Sequence, residues 1–139
     1  MIQLVADTLL RHIQPNLDFL GHVGGDDFVV LFQSDDWAVR CDRVVGEFNA
    51  AALQLFDKRD VERGMLECED RSGRPAIFPL STLSIGVAPI QVGRYLHAEE
   101  VASFAAAAKR RAKRNGVLVL LLEPDHADDI GNDMTTFDA

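Results

Sequence analysis

The feature that most constrains this chain is a Gly24-Gly25-Asp26-Asp27 tetrapeptide set between two β-prone runs, LDFLGHV and FVVLFQ. Glycine tolerates the positive φ that tight turns require, and aspartate favours turns by bonding its own backbone. Residues 18–23 and 28–33 are therefore predicted to form a hairpin with the four residues at its tip. Two adjacent carboxylates at such a tip are costly unless they are solvated, cation-bound or hydrogen-bonded. The two glycines remove side chains where a ligand's backbone or phosphate would approach. Hard oxygen donors beside an open backbone are what a Mg²⁺–phosphate site needs. The same four residues also make a good turn on a solvated surface, and the tetrapeptide by itself does not choose between the two.

The remaining elements follow from periodicity. Leu4, Val5, Leu9 and Ile13 make a helical stripe over residues 4–13, ended by Pro15. Ser34-Asp35-Asp36 supplies an N-cap and acids for a second helix. Its buried face is Trp37, Cys41, Val44, Val45, Phe48, Ala52 and Leu55, to about residue 58. After a polar break at 60–64, residues 65–70 and 76–80 read as a hairpin around 71–74, and residues 81–88 as a β-strand. Residues 97–114 form an alanine-rich helix with Val101, Phe104, Ala105 and Ala108 on its apolar face. Its small side chains allow close packing on a sheet, and Asn115-Gly116 stops it. The run VLVLLL, residues 117–122, is apolar on both faces and reads as a covered strand. Helices alternating with strands indicate an α/β or α+β domain with helices packed on a sheet.

The 139 residues, 47% hydrophobic and 26% charged, suit one folded domain with its own core. No apolar run approaches the ~20 residues of a membrane span, and MIQLVADTLL lacks the features of a signal peptide. Cys41 and Cys68 are too few for a disulfide framework or a metal-ligand set. The expectation is a cytoplasmic protein without a membrane partner. The net charge of −8 is uneven, because residues 123–139 carry six acids and no Lys or Arg. That acidic segment is expected to be disordered, leaving residues 1–122 with a net charge of −2. Within them, residues 109–114 gather five cations, so a local field can oppose the global sign. No aromatic residues interleave this basic run, and a nucleic-acid partner is not expected.

The stretch GHVGGDDFVVLF resembles the signature hairpin of the GGDEF family, the diguanylate cyclase domains. Downstream, LSIGVA (residues 83–88) is similar to the family's Ser-Ile-Gly strand. Ala108-Lys109-Arg110-Arg111-Ala112-Lys113 is similar to the alanine-rich, lysine-ending helix that follows it. Ser34-Asp35-Asp36-Trp37 further resembles the GGDDF-bearing branch often attached to EAL phosphodiesterase domains. The resemblance implies an α+β, palm-like fold of nucleotidyl cyclase type, with a central, mainly antiparallel sheet flanked by helices. It also implies Mg²⁺-dependent joining of two GTP molecules into cyclic di-GMP by paired domains. By that resemblance Gly24 and Gly25 lie against the nucleotide, while Asp26 and Asp27 are the catalytic pair that holds Mg²⁺. Lys113, or Lys109 one turn before it, then faces the phosphates. GTP or cyclic di-GMP is the implied ligand, with an EAL or sensor domain as companion.

The chain also departs from the family. Asp27 stands where Glu is usual, and a misplacement of ~1 Å can cost about 100-fold in rate. The family's inhibitory Arg-x-x-Asp corresponds to Pro15-Asn16-Leu17-Asp18, which leaves Asp18 as a remnant without its arginine. Feedback inhibition is not expected there. Arg114-Asn115-Gly116 gives no clear counterpart to the family's Gly-Arg-Asn ending. Nothing in residues 1–22 resembles the Asp-Ile-Asp-x-Phe-Lys segment of the family's first strand–helix unit, which supplies a metal-binding Asp and the phosphate loop. The expectation is a partial GGDEF-like domain over residues 1–122, catalytically inactive, that acts as a nucleotide-binding or interaction module. An open sheet edge would then favour a homo-oligomer or a partner strand. The alternative is a diguanylate cyclase whose missing segment comes from a partner or an upstream region. His22 is expected to be a partly buried strand side chain rather than a ligand.

Overall fold

The structure, a computed structural model, describes residues 1–91, 93–94 and 97–122. The acidic segment 123–139 lies outside the described residues. Two compact units divide the chain, Met1–Leu83 and Ser84–Ala139.

The first unit is built on two helices. Helix α1 (Ile2–His12) buries Val5, Thr8 and Leu9. Helix α2 (Trp37–Ala52) buries Cys41, Val44, Val45, Phe48 and Ala52 of the stripe read from the sequence, and Trp37, in its first turn, is half-buried. The two helices pack together, and each Val, Leu or Phe side chain fully buried there contributes about 1.5–3 kcal/mol. Polar contacts tie the end of α1 to the body of α2: Glu47 accepts from Arg11 Nε at 2.5 Å and pairs with His12 Nε2 at 2.6 Å. The helix stops earlier than the stripe predicts. Residues Leu53–Leu55 tighten into a 3₁₀ turn, which rotates Leu55 off the buried face and leaves it 57% exposed.

Between the helices lies the predicted hairpin, β1 (Phe19–Gly24) and β2 (Asp27–Leu31). A buried ion pair fixes its base. Arg40 of α2 donates to the Asp18 carboxylate just before β1, and both side chains are almost fully buried. Arg40 also donates to the His12 carbonyl at 2.7 Å and to Ser34 Oγ at 3.0 Å, and lies over the Phe32 ring. Asp18 accepts in addition from the backbone N–H groups of Gln14 and Gln33, at 2.8 and 3.2 Å. One guanidinium and one carboxylate thus join the end of α1, both feet of the hairpin and the start of α2. Asp36 is the N-cap residue of α2, but its side chain turns to Ser34 and Arg40 instead of capping the backbone.

A short helix α3 (Lys58–Arg63) occupies part of the predicted polar break. Arg63 pairs with Asp60 at 2.7 Å and Glu67 at 3.0 Å, so charges rather than an apolar stripe hold it, and hydrophobic periodicity gives no sign of it. Strands β3 (Met65–Glu69) and β4 (Pro75–Pro79) form the second predicted hairpin. Asp70 Oδ1 accepts from the N–H groups of Ser72 and Arg74 and closes its turn.

The second unit is a β-α-β unit: β5 (Ile85–Val87), α4 (Ala98–Asn115) and β6 (Val119–Leu121). Strands β5 and β6 pair in parallel, with Ile85 opposite Val119. Phe104, Ala107, Ala108 and Leu122 form its core, with Ala88 and Leu120 packed against them. Gly86 explains the close fit. A Cβ there would lie 2.2 Å from Lys109 N and 2.3 Å from Ala108 C. The strand therefore rests directly on the backbone of the helix, which the alanines leave uncovered.

The strands make three separate two-stranded ladders among the described residues, two antiparallel and one parallel, rather than one central sheet. The strand expected over 81–88 is confined to three residues. The run 117–122, expected to be covered on both faces, leaves Leu121 43% exposed, because its ladder is two strands wide. The architecture is mixed helix and small sheets. Among the described residues no helix is long and apolar enough to cross a membrane.

Candidate functional site

The β1–β2 ladder pairs Phe19 with Leu31 and continues regularly to His22 opposite Phe28. There the register shifts, so that Gly24 faces Asp27 and Val23 is bulged out, 72% exposed. Without the bulge the loop would hold three residues. With it, Gly25 and Asp26 alone make the turn. Gly25 sits at φ 57° and Gly24 at φ 152°, both outside the range that L side chains readily adopt. A Cβ at either position would meet nothing within 4 Å. The glycines are thus required by backbone conformation, and they leave the approach to the tip open.

Gly24, Gly25 and Asp26 are exposed and Asp27 is half-buried, so the hairpin brings all four predicted tip residues together. The protein's donor set here is two adjacent carboxylates. Among the described residues no third His, Cys, Asp or Glu joins a cluster able to hold a metal. Hard oxygen donors at an open tip suit a Mg²⁺ ion that keeps most of its shell as water or phosphate, since Mg²⁺ gives up water reluctantly.

His22 was expected to be partly buried, and it is exposed. Its ring stacks on Phe28 across the ladder, with centroids 4.5 Å apart and planes 21° apart. Its Nε2 lies 3.0 Å from the Gly25 carbonyl oxygen. The position just before the bulge places the ring on the outside of the hairpin, against its cross-strand neighbour.

The two lysines are carried by the second unit. Lys109 is half-buried and Lys113 exposed, one helical turn apart on α4. Lys113 and Arg114 stand in the last turn, where cations are favoured by the helix dipole. The backbone of Lys109 is also the surface on which Gly86 rests, so two of the motifs read separately from the sequence meet at one contact.

Asp18, expected from the resemblance to be the remnant of an inhibitory motif, is not at the tip. Burial works to raise its pKa, but the hydrogen bond from Arg40 and the N–H groups of Gln14 and Gln33 overcome this and hold it below the usual carboxylate value. Its carboxylate is committed to the base of the hairpin. Three residues with clear roles here, His22, Arg40 and Gly86, were not assigned those roles from the sequence. The one local signal was the smallest residue of a strand matched to the smallest residues of a helix, Gly86 against Ala108. Comparison with protein-family models, with curated proteins and with solved structures yielded no match.

Proposed function

We propose that this chain is a GGDEF-like module of cyclic di-GMP signalling that binds a Mg²⁺-bound guanine nucleotide, GTP or cyclic di-GMP, at the β1–β2 tip without turning it over efficiently. The observation that carries this reading is the tip itself. Two glycines in conformations required by the backbone leave an unobstructed approach beside adjacent carboxylates. A phosphate-bound Mg²⁺ would take Asp26 and Asp27 as its protein ligands, with water and phosphate oxygens completing the shell. Weak turnover follows from the shorter reach of Asp27 where the resemblance calls for Glu, since phosphoryl transfer depends on positioning. The commitment of Asp18 to Arg40 supports the absence of feedback control through that residue.

Calorimetric titration with Mg²⁺-GTP and with Mg²⁺-cyclic di-GMP tests binding. Binding that is lost in Asp26→Ala is expected, and heats equal in the wild type and Asp26→Ala would overturn the reading. Incubation with Mg²⁺ and GTP, followed by chromatography for cyclic di-GMP, tests turnover. Product formed at an ordinary enzymatic rate and lost in Asp26→Ala would replace the module with a second reading, a cyclase completed by a partner strand. That each ladder among the described residues is only two strands wide favours that second reading.

A further inference from the structure

The tip has an unusual mechanical problem. Glycine is the residue with the most backbone freedom to lose on folding, and two of them stand side by side here. Beyond their chain neighbours, neither has an atom within 4 Å of where a Cβ would project, so packing from elsewhere in the fold does not hold them. The bulge at Val23 further loosens the last rung of the ladder. A turn of this kind samples many conformers unless a side chain ties it down, and the Asp26 carboxylate on it would then be scattered over those conformers.

His22 supplies the tie. The ring is itself fixed by its stack on Phe28. From that fixed ring, Nε2 reaches the Gly25 carbonyl oxygen across the turn at 3.0 Å. A carbonyl oxygen only accepts, so Nε2 carries the proton, and in the neutral ring Nδ1 is left as the acceptor. The bond fixes the Gly25–Asp26 peptide, and with it the direction in which the Asp26 side chain leaves the backbone.

We propose that His22 is the positioning residue of the Gly24–Asp27 tip, holding Asp26 beside Asp27 in the arrangement that receives a hydrated divalent cation and its phosphate. The proposal rests on the reading of the tip as a Mg²⁺–nucleotide site, and it adds the residue that preorganises that site. His22 does not ligate the metal. Its contribution is the conformational freedom it removes before the ligand arrives.

The test compares His22→Ala, His22→Phe and His22→Gln in the full chain. Mn²⁺ alone is the probe, read by paramagnetic broadening of the Asp26 and Asp27 amide signals. The ¹⁵N shifts of the wild-type ring are expected to identify the Nε2–H tautomer. His22→Ala and His22→Phe are expected to bind Mn²⁺ about fivefold more weakly, the effect of one neutral hydrogen bond. Their Gly25 and Asp26 backbone couplings should move toward averaged values. His22→Phe keeps an aromatic stack, so its loss isolates the hydrogen bond from the packing. His22→Gln, which can donate from its amide, is expected to recover part of the affinity. Unchanged couplings and unchanged Mn²⁺ affinity in His22→Ala would overturn the proposal. If the wild type does not bind Mn²⁺, the reading of the tip as a metal site fails. The couplings then still report separately whether His22 holds the turn.

Discussion

Replacing Arg40 with methionine removes the guanidinium while keeping the length and apolar stem of the side chain. The Asp18 side chain is 0% exposed and that of Arg40 6% exposed, so the variant leaves a buried carboxylate without its counter-charge. Removing one partner of a buried pair costs about 3–5 kcal/mol. The N–H groups of Gln14 and Gln33 remain bonded to Asp18, which pulls the cost toward the lower end of that range. The His12 carbonyl and Ser34 hydroxyl lose their donor, and Phe32 loses the cation above its ring, which pushes it back up. A loss of about 4 kcal/mol is expected, a large share of the ~5–15 kcal/mol that stabilises an ordinary domain. Urea unfolding followed through the fluorescence of half-buried Trp37 measures it directly. The pH dependence supplies a second check. Arg40 and the two N–H groups hold the Asp18 pKa below its usual value despite burial. Such a group stabilises the fold fully above its unfolded pKa, and the contribution is lost as pH falls through the lower, folded pKa. The gap between wild type and Arg40→Met should therefore be full at pH 7 and shrink below about pH 4, where the wild type also loses the pair. A variant within about 1 kcal/mol of wild type at pH 7, or a gap equal at pH 7 and pH 3, would refute the reasoning.

Gly86→Ala should destabilise the β-α-β unit by roughly 3 kcal/mol or more, because the new methyl would meet backbone atoms that cannot rotate away; the loss of α4 helicity by circular dichroism at a lower temperature than wild type checks it. With a thiol reagent in native buffer, Cys68 is expected to react and Cys41 to stay protected. Cys68 is exposed, whereas burial and then the neighbouring Asp42 push the Cys41 thiol up to about 11. Equal modification of both would contradict the packing of α2. In an NMR titration, the Glu47 carboxyl should titrate below an ordinary glutamate, held down first by His12 and then by Arg11. Arg11→Ala should move its midpoint up, and an unmoved midpoint would sever the tie between α1 and α2.

What could be read from the sequence was whatever is encoded by neighbours along the chain. The stripe from Cys41 to Ala52 and the two hairpin turns depend on spacing and on turn residues, and all of them stand where they were expected. Helix α4 ends at Asn115 with Gly116 in the left-handed region, as the Asn-Gly pair predicts. Contacts between distant residues were not legible. Arg40 borders the apolar stripe of α2, where a long side chain usually reaches solvent. Only the fold brings in Asp18, 22 residues away, and turns the arginine inward. Sheet assembly is likewise not encoded locally. β-propensity says that residues 81–88 and 117–122 favour strands, but the extent of pairing depends on what covers each face. Where the neighbour is one three-residue strand, pairing ends after three residues.

Asp18 and Asp26 show why an aspartate in a family-like position does not carry the family's role by itself. Both stand on the β1–β2 hairpin region, eight residues apart, and the proposed resemblance would give each a role. Their surroundings set them on different paths. A carboxylate that is desolvated and saturated by a guanidinium and two amides has already satisfied its lone pairs inside the protein. A ligand's cation or guanine would have to displace those partners and leave a buried arginine unpaired, at a cost of several kcal/mol, on the order of 3–5. At the exposed turn Asp26 has no such buried ion pair to break. Of the two acids, Asp26 is therefore the one still exposed to solvent at a turn that requires glycine, while Asp18 is the one that keeps the hairpin attached.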